Sequence, residues 1–339
     1  MQSTRDEHGG AARARALDAV VESLARNAKK TAETVAQKRL DDARIRVFAT
    51  SDVHTDMTKN MQVMEEYIER EISSRRARVG AHEASVIVVA GDVGTNLECI
   101  ERTLRLLSDA HDLVCYLPAG NHELWCATNE RWIRDNGREY PCDSVGKMWR
   151  LIDLCTDMGV CCSPVRVAGV RIIPTYGWYD DLFAPRSEFR AQYSDLERRF
   201  DCACSWPAFI NAPSESRNSH SPAIGAFMRA VNDRVFDRFH DIVTEHQSNE
   251  KYHVITYSHF LPRPELYRGN SALWHVMGSE RIDVDARRWK SSVHVFGHSH
   301  LNVDRRIDGV RYIQCALGYP HERWFGVNHP KLVFDASLE

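Results

Sequence analysis

Ser85-Val-Ile-Val-Val-Ala90 is an uncharged run of six residues that ends, without a spacer, in Gly91-Asp92. A run so short, apolar and β-branched forms a strand covered on both faces of a sheet. Neighbouring segments repeat the arrangement. Ile45-Arg-Val-Phe-Ala-Thr50 is followed by Ser51-Asp52-Val53-His54, and Leu113-Val-Cys-Tyr-Leu117 leads to Gly120-Asn121-His122-Glu123. Helical stripes lie between them: Met57, Met61, Met64, Tyr67, Ile68 and Ile72 trace one face, and Leu97, Ile100, Leu104 and Leu107 another. Alternating strands and helices with apolar strands call for an α/β fold.

The later part of the chain changes character. Asp143 is placed to cap a helix carrying Val145, Met148, Leu151, Ile152 and Cys155, with Gly159 to stop it. Val165 to Ile173 reads as a hairpin turning at Ala168-Gly169. Asn302 to Ile313 reads as a second, turning at Asp308-Gly309, a pair suited to a type I′ turn. A helix from Phe227 to about Val243 and strands at Tyr252–Tyr257 and Val293–Phe296 complete the pattern. Hairpins after a parallel start predict a mixed sheet, or a pair of them.

Residues 1–43 stand apart, since Leu17, Val21, Leu24, Ala28 and Val35 form a thin helical stripe among charges. We read them as a helical extension that docks on the body, on a partner or on a second copy, with a frayed tail as the alternative. Residues 44–339 form the expected main domain. Within it, residues 178–222 are rich in aromatics, prolines and charges without a period, as in a lid-like insertion.

A net charge of -3 gives no electrostatic case for nucleic acid or an anionic membrane. No run approaches the roughly 18 apolar residues that span a bilayer. The N-terminus mixes acids and bases without an apolar core, so a cytoplasmic address is expected. The ten cysteines lack zinc-ribbon spacing and read as reduced thiols.

The chemistry collects where the strands end. Besides Asp52, His54, Asp92, Asn121 and His122, the strand Tyr252–Tyr257 runs into Ser258-His259, and Val293–Phe296 into Gly297-His298-Ser299-His300. Ligands of open α/β sheets bind beyond the carboxyl ends of the strands. Carboxylate, imidazole and amide oxygen suit divalent Mn, Fe, Zn or Co. On an extended backbone, Asp52 and His54 would point the same way, as would His298 and His300. Each piece alone is ordinary turn chemistry. Five pieces in order, each at a strand end, are what a metal centre requires.

These five blocks, Asp52-x-His54, Gly91-Asp92, Gly120-Asn121-His122-Glu123, His259 and Gly297-His298-Ser299-His300, resemble those of the calcineurin-like metallophosphoesterase superfamily. The resemblance spans about 250 residues and implies a four-layer αββα sandwich of two mixed β-sheets flanked by helices. It also implies two divalent ions: Asp52, His54 and His300 on the first, Asn121, His259 and His298 on the second, and Asp92 between them. The implied reaction is hydrolysis of a phosphomonoester or phosphodiester by a metal-bridging hydroxide. His122 is the implied proton donor to the leaving group.

Serine/threonine protein phosphatases of the superfamily extend the second block to G-D-x-x-D-R. Here the stretch is Gly91-Asp92-Val93-Gly94-Thr95-Asn96, without that Asp or Arg. The departure favours a small-molecule phosphate ester over a phosphoprotein and leaves the phosphate-binding group open. Arg263, Trp178 and Tyr179 are candidates for substrate contact, as is Asp180. Two alternatives stand beside this reading: a nuclease or nucleic-acid phosphodiesterase, disfavoured by the charge, and a non-catalytic protein-binding scaffold, disfavoured because no ligand is substituted.

Overall fold

Hydrophobic strands that must be buried on both faces need a partner layer on each side, and this chain builds two sheets. The computed structural model describes residues 2–77, 83–126, 134–135, 138–180, 183, 203–210, 221–244, 253–324 and 326–336. Most of the expected lid-like insertion, namely 181–182, 184–202 and 211–220, lies outside the described residues.

Numbering strands along the chain, β1 (Arg44–Thr50), β2 (Glu83–Val89) and β3 (Leu113–Tyr116) run parallel. A strand the sequence did not announce, β12 (Lys331–Asp335), adds antiparallel to β1, giving the order β12-β1-β2-β3. The second sheet comprises β6 (Val165–Val167), β7 (Val170–Pro174), β8 (His253–Tyr257), β9 (Val293–Phe296), β10 (Val303–Ile307) and β11 (Val310–Gln314), in the order β10-β11-β9-β8-β7-β6. Its four central strands are parallel, and the two expected hairpins close its edges, so both sheets are mixed. Asp308 and Gly309 both take positive φ (48° and 87°), the type I′ geometry their residue types predicted. Short β4 (Arg134–Asp135) and β5 (Arg138–Glu139) pair with each other.

The helices are α1 (Gln2–Gln37), α2 (Thr58–Ala77), α3 (Leu97–Ala110), α4 (Asn121–Leu124), α5 (Ser144–Met158), α6 (Ser221–Arg238), α7 (His240–Thr244), α8 (Trp274–Met277) and α9 (Glu280–Arg288). Their caps follow the sequence: Asp143 accepts from Gly146 N at 2.8 Å, and Gly159 ends α5 at φ 73°. None is long and apolar enough to cross a membrane among the described residues. The two sheets are stitched together just past β1, where Ser51 N donates to Cys315 O and Leu317 N donates to Ser51 O, each at 3.0 Å.

The first helix lies against α5. Leu17, Val20, Val21, Leu24 and Val35 are buried in the common core. Asn27 completes the seam, donating to Val160 O at 2.8 Å and accepting from Cys162 N at 2.7 Å and Ser163 Oγ at 3.1 Å. Its loss strands buried backbone groups, each costing about 1–3 kcal/mol. Asn27→Ala is therefore expected to lower the urea midpoint by that order at unchanged m-value. An unshifted midpoint would mean that α1 does not dock on α5 in solution.

Candidate metal centre

Seven side chains converge at the carboxyl ends of the strands, and the backbone bends unusually to bring them there. Asp52, His54, Asp92, His298 and His300 all adopt positive φ, between 44° and 74°. Such conformations cost about 1–3 kcal/mol each in a non-glycine residue and cluster at functional sites. They also correct one expectation. Asp52 and His54 face the same space, as do His298 and His300, because both residues of each pair are left-handed and not because the segment is extended. Glycine is required where backbone crowds this space. A Cβ on Gly120 would lie 2.7 Å from Asp92 N, and one on Gly297 would lie 2.8 Å from Asp52 Oδ2.

The side chains form two linked groups. Donor atoms of Asp52, His54 and His300 lie within 4.8 Å of one another, as do those of Asp92, His259 and His298. Asn121 joins the second group, its Oδ1 standing 2.9 Å from His298 Nδ1 and 3.0 Å from His259 Nε2. Asp92 Oδ2 is 3.3 Å from His259 Nε2, and the carboxylate also groups with His54 and His122, so Asp92 lies between the two sets.

The protons in this cluster explain what it fits. His259 Nδ1 lies 3.0 Å from Ala90 O, and His298 Nε2 lies 2.8 Å from Val276 O. Each ring spends an N–H on its carbonyl, so His259 Nε2 and His298 Nδ1 are the nitrogens turned to the cluster, and on His298, kept neutral by burial, that nitrogen is a lone pair. Both face Asn121 Oδ1, itself an acceptor. In the other group His300 Nδ1 is held by Glu322 Oε2 at 2.7 Å, which turns its Nε2 to within 3.1 Å of His54 Nε2. Acceptors facing acceptors in a buried site repel unless a cation sits among them. The residues fit divalent ions on this ground, and the carbonyl and carboxylate behind each imidazole fix its orientation as such ligands require.

Charge follows the same geometry. Burial works to raise Asp92, but His259 and His122 hold its carboxyl well below the usual range. Burial opposes charge on His259, yet Asp92 and Asp52 outweigh it and push its pKa up to about 9. Burial pushes His54 and His298 well down.

Several supporting residues take roles that the sequence left open or gave no sign of. Glu123, fully buried, accepts from Asp92 N at 2.9 Å, Val93 N at 2.7 Å and Tyr116 Oη at 3.0 Å, and so anchors the loop carrying Asp92. The four residues after Gly120, Asn121–Leu124, are one turn of helix, which turns Glu123 back under that loop. Glu322 lies 22 residues from His300 with no local signal in the sequence. His122 sits in a cage: Thr95 Oγ1 is 3.2 Å from Nδ1, Tyr319 Oη is 3.3 Å from Nε2, and the Trp125 ring centroid is 3.7 Å away.

The candidate substrate residues already have protein partners. Arg263 pairs with Glu265 at 2.7 Å and Asp308 at 2.8 Å. Trp178 and Tyr179 are buried against Phe260, and Asp180 accepts from Ser279 Oγ. Trp178 and Tyr179 thereby back the ring of His259, which lies 5.0 Å from that of Phe260.

No protein-family model matches this chain. It is similar to the [acyl-carrier-protein] phosphodiesterase PptH of Mycobacterium tuberculosis, with 24% identity over 289 residues, covering 81% of this chain and 78% of that protein. The crystal structure of phosphopantetheinyl hydrolase (PptH) from Mycobacterium tuberculosis shares the fold, with a TM-score of 0.59 at 21% identity over 86% of this chain and 97% of that one.

Because His259 holds a proton when no ion is present, metal and proton compete for it. Below pH 9 the apparent affinity for the ion on His259 is expected to fall as pH falls, by up to about tenfold per unit for one displaced proton. Calorimetric titration in buffers of different ionisation enthalpy measures that release. Glu123→Ala is expected to weaken binding about 10–100-fold, as losses behind metal ligands do. Unchanged affinity in this variant would remove Glu123 from the site.

Proposed function

We propose that the chain is a metal-dependent phosphodiesterase built on the four-layer sandwich of the calcineurin-like metallophosphoesterases. The observation that carries this reading is the convergence of His298 Nδ1 and His259 Nε2 on Asn121 Oδ1, and of His54 Nε2 on His300 Nε2, with the Asp92 carboxylate between the two groups. Asp52, His54 and His300 would hold one divalent ion, Asn121, His259 and His298 a second, and Asp92 would reach both. Ions so placed lower the pKa of water and neutralise phosphoryl oxygens.

The chain's own residues do the rest. Glu123 and Glu322 hold Asp92 and His300 in place, so little reorganisation is needed during reaction. His122 stands at the edge of the cluster, its Nε2 4.0 Å from Asp92 Oδ2, and supplies the proton to the departing oxygen.

Two observations favour a diester over a monoester. At the position where protein phosphatases carry a phosphate-binding Arg stands Asn96, and its side chain caps α3 by accepting from Glu98 N at 2.8 Å. A monoester carries a second negative charge that such a guanidinium would meet; a diester carries one. The second is the similarity to a protein named as a phosphodiesterase. A diester bearing a phosphopantetheinyl group is therefore the substrate to try first.

Protein loaded with Mn²⁺ is expected to bind two ions per chain by elemental analysis. It should hydrolyse bis(p-nitrophenyl) phosphate faster than p-nitrophenyl phosphate, and Asp92→Asn should reduce turnover to background. Metal-loaded protein that leaves both esters intact would sink the reading, and a faster monoester would overturn the preference for diesters.

A further inference from the structure

Asn60, in the first turn of α2, has no exposed surface. Side chains of a helix lean towards its N-terminus, so this one reaches back over the loop that enters α2 from β1. Its Nδ2 donates to Val53 O at 2.8 Å and to Gly318 O at 3.0 Å, and its Oδ1 accepts from Arg323 Nη2. With two carbonyls at one end of the amide and a guanidinium at the other, only one orientation of the side chain satisfies all three.

The two carbonyls belong to different parts of the candidate centre. Val53 stands between Asp52 and His54, so its peptide moves with both. Gly318, 258 residues from Asn60, opens the segment that carries Tyr319 and Glu322. That segment is closed on itself: Tyr319 N donates to Glu322 Oε2 at 2.8 Å, and Arg323 donates to Leu317 O at 3.4 Å and to Gly318 O at 3.3 Å. Glu322 in turn holds His300 Nδ1 at 2.7 Å.

Asp52, His54 and His300 come from distant parts of the chain, yet their donor atoms lie within 4.8 Å of one another. One attachment between the two loops is the backbone bond from Gly318 N to Asp52 O at 3.0 Å. Asn60 supplies another, since it bonds both loops at once. A single attachment fixes a separation; two fix an angle as well. The other group is backed separately, His259 by Ala90 O and His298 by Val276 O.

We propose that Asn60 is a positioning residue for the ion of Asp52, His54 and His300: its amide sets the loop of Asp52 and His54 against the segment whose Glu322 holds His300, and so governs the affinity of that ion without being a ligand. The inference rests on the two-ion reading above.

The test uses the full-length chain titrated with Zn²⁺ and followed by calorimetry. Asn60→Ala removes the bridge. Asn60→Asp keeps its shape and its contact with Arg323 but turns an oxygen on Val53 O and Gly318 O. In both variants the ion of Asp52, His54 and His300 is expected to bind about 10–100-fold more weakly, as for losses behind metal ligands, and the other ion within about threefold of the parent. Imidazole ¹⁵N shifts assign each binding step, because His54 and His300 report one ion and His259 and His298 the other. A side chain that only stabilised the fold would weaken both ions alike or neither, and either result would overturn the proposal. If the Asn60 variants do not fold, Arg323→Met decides. It leaves the bridge but frees Asn60 Oδ1, and should weaken the same ion alone by a smaller factor; loss at both ions, or at neither, would overturn the proposal.

A second measurement needs no ion. In metal-free protein the ring ¹⁵N shifts of His54 and His300 should differ between the parent and Asn60→Asp, while those of His259 stay in place. Unmoved His54 and His300 shifts would overturn the proposal. A parent chain that bound no Zn²⁺ would instead overturn the two-ion reading, and the metal-free shifts would still decide whether Asn60 sets these two rings.

Discussion

Imidazole nitrogens turned inward on one amide oxygen, in a buried site, are the constraint the rest of this molecule answers to. Asn121 Oδ1 is aimed at two imidazole nitrogens whose opposite nitrogens are spent on backbone carbonyls. In that arrangement the lone pair of His298 opposes the amide oxygen. It persists because the surroundings over-determine it: five residues of the cluster are forced into left-handed backbone, at about 1–3 kcal/mol each. The compensation lies in the apolar strands beneath, where Ile45, Val47, Ala49 and Val86 to Val89 are fully buried.

The anchoring of the loops explains why the site tolerates this strain. Each loop is held by something other than the ion-binding atoms. Glu123 takes the backbone of Asp92 and Val93, Asp52 Oδ1 takes His298 N at 2.8 Å, and Asp92 Oδ1 takes His122 N at 3.0 Å. The carboxylates of Asp52 and Asp92 therefore serve twice, standing in the cluster and tying down a neighbouring loop. The stitch from Ser51 to Cys315 and Leu317 does the same for the two sheets, since it brings Tyr319 and Glu322 over the ends of β1 and β9.

Much of the scaffold was readable because its strands carry their own signals. β2 and β9 are apolar and flanked by glycine, so their ends fall within about two residues of expectation. By contrast β12 (Lys331-Leu-Val-Phe-Asp335) is short, charged at both ends and defined by pairing with β1 across nearly the whole chain. Helix α9 has few apolar residues and is held largely by contacts such as Ile282 and Ala286 against the body. Arg263 shows how distant partners set a side chain's surroundings. Four residues from His259 it suggested an anion site, but Asp308, 45 residues away at a hairpin tip, and Glu265 claim its guanidinium.

The sequence by itself determined the donor set: which atoms meet, and that they are carboxylate, imidazole and amide oxygen, because each sits at the end of a strand whose direction its apolar pattern dictates. Only the tertiary structure decided how those donors are oriented and what stands behind them. The nitrogen that each histidine presents depends on Ala90 O, Val276 O or Glu322, and the setting of His122 depends on Thr95 and Tyr319. The reason is physical. Ligand type is a property of a residue, whereas lone-pair direction is set by the partner of the other ring nitrogen, and that partner arrives from another part of the chain.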